Sequence, residues 1–213
     1  MKKIFIGILL LTTMMAFSWD YLSLGVSMGF FNVVRENPEE SNRLNYENFN
    51  EMNCSSINIS FSNITDGYIR SIIEINGGWV YSAKRTDTHN IIDIYNTTEL
   101  NTSIMFDIFM GWGVLLQPHD LIFICTGLGF HTNGFILTGE NETDFLDINL
   151  GFGVSLNINL KISEENYIKL GIITSYDPII FNPPSAEKYK ETLNILPSIG
   201  WVWKYQVNKY YRG

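Results

Sequence analysis

Residues 146–162 read LDINLGFGVSLNINLKI, and this stretch decides the fold. Every even-numbered residue in it is apolar, whereas every odd-numbered residue is Asp, Asn, Gly, Ser or Lys. Successive side chains of a β-strand point to opposite faces of the sheet, so the alternation predicts a strand with one apolar and one polar face. The stretch is also longer than the roughly 9–11 residues that a tilted strand needs to cross a bilayer.

The same alternation recurs in seven more segments, at 21–31, 56–62, 73–81, 103–114, 122–131, 168–177 and 194–206. Their connections alternate between three short turns (63–67, 117–120 and 163–166) and four long polar loops (32–53, 84–101, 132–144 and 177–192). Short turns at one end and long loops at the other are typical of outer-membrane barrels. The sequence therefore predicts an all-β, eight-stranded, antiparallel up-and-down transmembrane barrel with short periplasmic turns and four long extracellular loops. Pro197 lacks an N–H for the ladder and predicts a local defect in the last strand.

A soluble barrel of the lipocalin type would show the same alternation with its apolar face inside. Here the apolar faces of the predicted strands lack charged residues, and the opposite faces are rich in Gly and Ser, which suits a narrow interior. Aromatic residues cluster at both strand ends, as the two interfaces of a bilayer select. These predicted girdle residues are Tyr21, Phe30, Tyr68, Trp79, Tyr81, Phe130, Tyr176, Trp203 and Tyr205. The pattern favours the transmembrane barrel.

The first residues predict export. Lys2 and Lys3 precede an apolar run, and 16–18 fit a cleavage site, so residues 1–18 are expected to be a signal peptide rather than a buried strand. Residues 19–213 then form a single barrel domain. The net charge of −8 argues against nucleic-acid binding. Cys54 and Cys125 fall on strands that are not neighbours, so free thiols are expected rather than a disulfide.

In strand pattern, connections and length, the chain resembles the small eight-stranded outer-membrane barrels, the group that includes OmpX, OmpW and the membrane domain of OmpA. The resemblance covers residues 19–213 and implies a place in the bacterial outer membrane, in contact with its lipid. No motif assigns a subfamily, so the resemblance transfers no functional residue. Many barrels of this group end on an aromatic residue, whereas this chain ends Tyr210-Tyr211-Arg212-Gly213, so its insertion signal is expected to differ.

Charged residues on the predicted inward faces lead to two hypotheses for the lumen. They are Arg70, Glu74, Asp107, Asp147, Lys161, Lys169 and Lys204. Buried charges have to be paired or solvated, so these residues are expected to form ion pairs that plug the barrel. The alternative is a polar gate for ions or small solutes. An eight-stranded barrel is nearly filled by its own side chains, which favours the plug.

Some small barrels of the resembled group are lipid-modifying enzymes, which draws attention to the histidines. His131 lies near the loop end of the fifth predicted strand, with Asp144, Asp177 and Ser175 as candidate neighbours. A catalytic triad needs its base and nucleophile within hydrogen-bond reach, which sequence does not establish. No residue is therefore assigned as catalytic. No Cys/His cluster has zinc-like spacing, so neither a metal nor another cofactor is predicted.

The predicted loops contain three apolar runs that solvated loops do not need. They are Ile91, Ile92 and Ile94; Phe135, Ile136 and Leu137; and Ile179, Ile180 and Phe181. Either these runs extend the strands above the membrane, or they form an apolar mouth for hydrophobic molecules or a partner.

These patterns give an ordered set of functional hypotheses. The first is a non-enzymatic, monomeric surface barrel that contacts an extracellular ligand or host surface through its loops, or that supports the envelope. The second is a narrow channel for small or hydrophobic solutes. A lipid-modifying enzyme is third, and a soluble ligand-binding barrel is last.

Overall fold

The computed structural model describes residues 21–35, 49–64, 69–87, 90–96, 100–139, 144–180 and 190–204. They form nine β-strands: β1 (Tyr21–Arg35), β2 (Phe49–Ile64), β3 (Ile69–Asp87), β4 (Asn90–Asn96), β5 (Leu100–His119), β6 (Ile122–Gly139), β7 (Asp144–Lys161), β8 (Asn166–Ile180) and β9 (Lys190–Lys204). Within these ranges, no helix has the length and apolar character needed to cross a membrane.

Eight of the strands close into an antiparallel barrel. β1 pairs with both β2 and β9, and the order continues through β8, β7, β6, β5 and β3 back to β2. Strand β4 pairs with residues 82–87 of β3, on the loop side of the pairing between β3 and β5. β5 therefore occupies the place of the fourth predicted strand, and β4 is an additional strand within the predicted loop 84–101. The predicted eight-stranded barrel is confirmed.

The ladder register fixes the stagger of the barrel. Following paired residues around the wall leads from Tyr21 through Ser62, Ile72, Gly111, Gly129, Gly153, Ser175 and Asn194 back to Phe31. One circuit thus climbs ten residues along β1, from Tyr21 to Phe31. Such a stagger makes the strands tilt by about 35–45° to the barrel axis, and eight strands then enclose an interior that side chains can fill.

The exposure of the side chains confirms the predicted inside-out pattern. Outward residues are apolar and exposed, as with Leu128 and Phe152 at 69% and 64% of their full accessibility. Inward residues of the same strands, such as His131 and Ser155, are buried and polar. An apolar exterior around a polar interior is the reverse of a soluble barrel and suits a hydrocarbon environment.

Glycines on the inward face make room for side chains from other strands. Gly113 pairs with Gly127, and a Cβ added to either would lie 2.9 or 2.8 Å from Cδ1 of Ile72. Ile72 therefore packs into the space that these two glycines leave. A Cβ on Gly153 would lie 3.2 Å from Cδ2 of Phe109 in the same way. The predicted Gly-rich interior is thus close-packed by neighbouring side chains.

The strands extend further towards the loop end than the sequence predicted. β6 continues to Gly139 and β8 to Ile180, through stretches that were assigned to loops. β1 and β2 likewise enter the predicted loop 32–53, and β3 and β4 occupy most of 84–101. These assignments were wrong because polar residues such as Asn133 and Asp177 face the lumen rather than solvent. The rest of the predicted loops lies outside the described residues.

The predicted turn 163–166 is confirmed, whereas the turn predicted at 117–120 is shorter, because residues 117–119 belong to β5. Asp120 and Leu121 connect β5 to β6, and between β7 and β8 the amides of Ile162 and Ser163 donate to the carbonyl of Asn166 at 2.9 and 3.2 Å. The third predicted turn, 63–67, lies mostly outside the described residues.

The predicted defect at Pro197 is also confirmed. The ladder between β1 and β9 is interrupted between the pairs Ser27–Ser198 and Phe30–Ile195. Pro197 falls in this gap, where it has no N–H to donate.

Candidate functional site: a buried polar network in the lumen

Polar side chains inside the barrel form one connected hydrogen-bond network. It begins on the loop side at Asp177, runs through His131, Asp107, Asn76, Asn58 and Lys169, and ends on the turn side at Glu74. None of these residues is more than 2% exposed. Every second residue of each strand points inward, so these five strands can place their polar side chains in one column.

His131 lies between two carboxylates. Its Nδ1 is 3.0 Å from each carboxylate oxygen of Asp177, and its Nε2 is 2.5 Å from Oδ2 of Asp107. In the imidazolium form both ring nitrogens carry a hydrogen, so the ring can donate to both carboxylates. The positive ring therefore links β5, β6 and β8 through charge-assisted hydrogen bonds.

Amide and hydroxyl groups supply further partners for the two carboxylates. Oδ2 of Asp177 accepts hydrogen bonds from Asn133 at 2.7 Å, Asn194 at 2.5 Å and Ser175 at 3.3 Å. Oδ1 of Asp107 accepts one from Asn76 at 2.8 Å. Both carboxylates thus have the hydrogen-bond partners that burial of a charge requires.

Glu74 and Lys169 form the second buried ion pair. Nζ of Lys169 is 2.7 Å from Oε2 of Glu74, and it also donates to Asn58 and Ser60, both at 3.0 Å. Oε1 of Glu74 accepts from Ser155 at 2.5 Å. The three N–H groups of the ammonium therefore have three acceptors, and its hydrogen-bonding capacity is used up.

The buried charges balance over the whole lumen but not locally. Among the described residues, the buried charged side chains are three cations (Arg70, His131 and Lys169) and three carboxylates (Glu74, Asp107 and Asp177). On the loop side, His131 faces two carboxylates. On the turn side, Lys169 balances Glu74 and leaves the charge of Arg70 as a positive excess.

Apolar side chains close the lumen around this network. Phe31 and Phe135 pack edge to face near the loop end, with ring centroids 4.7 Å apart. They belong to one buried cluster with Met52, Val80, Met105, Phe109 and Leu196, none of them more than 2% exposed. All eight barrel strands are described at this height, so the filled section extends across the whole lumen.

The apolar part of the lumen was not predicted. Met105 and Phe109 occupy inward positions of β5, on the face where the alternation predicts only Asp107 and small residues. A signal was present in the sequence, because residues 104–110 are apolar apart from Asp107. Such a continuous run indicates a strand that is apolar on both faces.

The turn end of the lumen contains a cavity of about 40 Å³. The ring of Tyr167 lies between those of Tyr21 and Phe123, with centroid separations of 6.1 and 5.4 Å. The guanidinium carbon of Arg70 lies 4.7 Å from the centroid of the Tyr21 ring. Lys169 lines the inner end of the cavity, which has room for a few water molecules.

Four of the seven predicted lumen charges, Arg70, Glu74, Asp107 and Lys169, are buried in the lumen. Lys161 is half-buried, and the side chain of Asp147 on β7 lies outside the described residues. Lys204, the last residue of β9, pairs with Tyr21 and is exposed at the turn end of the barrel.

The predicted girdle residues divide between two environments. Phe30, Trp79, Phe130, Tyr176 and Trp203 are exposed on the outer face, and Tyr81 is half-buried. The girdle assignment of Tyr21 was wrong: it shares the inward face of β1 with Ser23 and lines the cavity instead. Tyr68 and Tyr205 lie outside the described residues.

The apolar runs assigned to a mouth lie in strands wherever they are described. Ile91, Ile92 and Ile94 belong to β4, Leu137 to β6 and Ile180 to β8, with side chains outside the described residues. Phe135 is buried in the lumen, whereas Ile136 and Ile179 are exposed on the outer face. Phe181 is outside the described residues. The described members of these runs therefore lie in extended strands.

Of the candidate neighbours of His131, Asp177 is in contact with it. Ser175 donates to Asp177 rather than to the ring, and the side chain of Asp144 is outside the described residues. His131 itself is buried in the lumen rather than at the rim. Cys54 and Cys125 are buried free thiols, as predicted.

No protein-family model and no curated protein matches the chain. Solved structures do match it. Neisserial surface protein A aligns over 86% of this chain and 97% of its own, with 11% identity and a TM-score of 0.55. The outer membrane protein OprG from Pseudomonas aeruginosa aligns over 88% of this chain and 96% of its own, with 8% identity and a TM-score of 0.56.

The chain has the fold of a small eight-stranded outer-membrane barrel. At these identities the likeness extends to the fold alone. The function of this barrel has to be argued from its own lumen and surface.

Proposed function

We propose that this chain is a non-enzymatic, monomeric barrel of the bacterial outer membrane that presents its loop end to an extracellular ligand or host surface. One observation carries the proposal. The lumen is filled by residues with no accessible surface, among them Asp107, Phe109 and Asn133. A barrel filled in this way offers its ends rather than its interior to other molecules. The likeness to a Neisserial surface protein supports display at a cell surface.

The energetics of the lumen support a stable plug. A path through the barrel requires His131 to leave Asp107 or Asp177, or Lys169 to leave Glu74. Removing one partner from a buried ion pair typically costs about 3–5 kcal/mol. The packed rings of Phe31 and Phe135 would have to move as well. The closed state is therefore expected to dominate at equilibrium.

The test is the conductance of the refolded protein in a planar lipid bilayer. The wild type is expected to give no unitary steps. The matched control is the double variant Phe109→Ala, His131→Ala, which removes two large side chains from the filled section and is expected to give steps. Reproducible unitary steps from the wild type, with folding checked by heat-dependent gel mobility, would contradict the proposal.

A narrow channel is the second candidate. The observation in its favour is the turn-end cavity, which already reaches Arg70 and Lys169 inside the barrel. A channel would then need only the loop-side half of the network to rearrange. Recordings from the wild type under an applied potential distinguish the two candidates, since a gated channel opens in them and a plug does not.

A further inference from the structure

Arg70 is a buried cation with unused hydrogen-bonding capacity. Arg70 is 5% exposed, and its Nε has no hydrogen-bond partner among the described residues. Burying a charged donor without a partner is costly, so such a group is normally paired with an anion or with water. The side chain lines the turn-end cavity, where a partner could enter.

The contact with Tyr21 does not use the donors of Arg70. The guanidinium carbon lies 4.7 Å from the centroid of the Tyr21 ring. A ring stacked on the guanidinium meets its face, whereas the five N–H groups lie in the guanidinium plane. The stack therefore holds Arg70 by the face of its guanidinium, and the in-plane Nε–H has no acceptor among the described residues.

Lys169, the other cation of the cavity, is already satisfied. Its Nζ contacts Glu74, Asn58 and Ser60, and Glu74 balances its charge. The positive excess of the cavity therefore belongs to Arg70. The remaining lining combines polar groups, such as Ser62 and Asn159, with apolar walls.

We propose that this cavity is a binding site for one small oxyanion, a phosphate or a carboxylate, held by the guanidinium of Arg70. A planar guanidinium fork matches two oxygens of such an anion, and a partly dehydrated site strengthens the pair. The cavity of about 40 Å³ has room for one small group such as a phosphate or a carboxylate. This site is independent of the surface display proposed above.

The test follows the side chain directly by NMR. Full-length protein carrying ¹⁵N-arginine is refolded in a detergent without phosphate and titrated with sodium phosphate or sodium formate at constant ionic strength, with chloride as the reference salt. The Nε–Hε resonance of Arg70, identified by its absence in Arg70→Lys, is expected to shift and saturate. In uniformly labelled protein, the amides of Ser62 and Tyr167 are expected to shift with it.

Three variants locate the effect. Arg70→Gln removes the fork, so the amide shifts at Ser62 and Tyr167 are expected to disappear. Lys204→Gln removes the same charge at the same end of the barrel but outside the cavity lining, so the shifts are expected to remain. Arg70→Lys keeps the charge without the fork and is expected to respond more weakly. Heat-dependent gel mobility verifies that each variant is folded.

The source of the anion is decided by a second sample. In nanodiscs containing phosphatidylglycerol and no free phosphate, an Arg70 resonance already at its saturated position identifies a lipid headgroup as the phosphate donor. A resonance that moves only when phosphate is added identifies a dissolved anion. The absence of a saturable shift in either medium, or an equal response from Arg70→Gln, would overturn the proposal.

Discussion

At the scale of single residues, the interior depends on matching each buried charge to partners on other strands. Lys169 illustrates this: its three N–H groups reach one carboxylate, one amide oxygen and one hydroxyl. The residues that supply these acceptors, on β2 and β3, are far from Lys169 in the sequence. The network therefore links strands that the backbone ladder does not join directly.

Replacing Lys169 by Met is expected to lower the free energy of unfolding by about 3–5 kcal/mol, because Glu74 then stays buried without its counter-charge. The double variant Glu74→Gln, Lys169→Met is expected to lose less than the sum of the two single changes, since no charge remains unpaired. Urea titration of the refolded barrel in lipid vesicles, followed by tryptophan fluorescence, measures these differences.

Lys161→Met is the matched control for this experiment. Lys161 is half-buried at the turn end and takes no part in the network, so its loss is expected to change the free energy of unfolding by no more than about 0.5 kcal/mol. Equal effects of the Lys161 and Lys169 variants would show that the buried pair does not hold the interior together.

The sequence predicted which residues face inward more reliably than what they contact. Period-two alternation places Glu74, Asp107 and Lys169 on the polar faces, and that inference needs only the geometry of a strand. The pairing of His131 with both Asp107 and Asp177 depends on register and stagger across three strands. Neither the register nor the stagger can be read from the local sequence pattern. The sequence alone therefore predicts His131 near the rim rather than between two carboxylates.

At the scale of elements, period-two alternation predicts the extent of β7 correctly but misses the loop-side ends of β6 and β8. In β7, apolar and polar residues alternate over the whole stretch that the sequence analysis identified. Near the loop end of β6, residues 132–134 are Thr, Asn and Gly, which also compose solvated loops. A polar lumen and bulk water select similar residues, so composition could not locate these strand ends.

Pro197 gives a prediction about one element, the ladder between β1 and β9. Pro197→Val supplies the missing N–H, and the gap on the β1 side indicates that this N–H can donate to β1. The amide introduced at position 197 is expected to be protected from hydrogen exchange. The free energy of unfolding is expected to rise by about 0.5–1.5 kcal/mol, the net contribution of one hydrogen bond.

Pro118→Val serves as the control, because Pro118 lies at the turn end of β5, away from this ladder. It is expected to leave hydrogen exchange in β1 and β9 unchanged. Rapid exchange at position 197 in the folded Pro197→Val variant would show that the ladder stays open for another reason.

At the scale of the whole molecule, the barrel has two chemically different ends, and their orientation can be tested. An epitope inserted between Glu140 and Asn141, in the connection from β6 to β7, is expected to be labelled on intact cells. The same epitope between Glu164 and Glu165, in the turn from β7 to β8, is expected to be labelled only after the outer membrane is permeabilised. Labelling of the second epitope on intact cells would contradict the proposed surface display.

The pairing of β1 with β9 has a consequence for how the molecule assembles. Tyr21 pairs with Lys204, so this junction joins residues far more distant in the chain than any hairpin does. Closing so long a stretch costs more conformational entropy than forming a hairpin, and the hairpins therefore form first. Until β1 pairs with β9, the sheet remains open and its polar face stays hydrated. Formation of this last junction expels that water and dehydrates Glu74, Asp107, Asp177 and their cations together, so we expect closure of the barrel and drying of its interior to be a single late event.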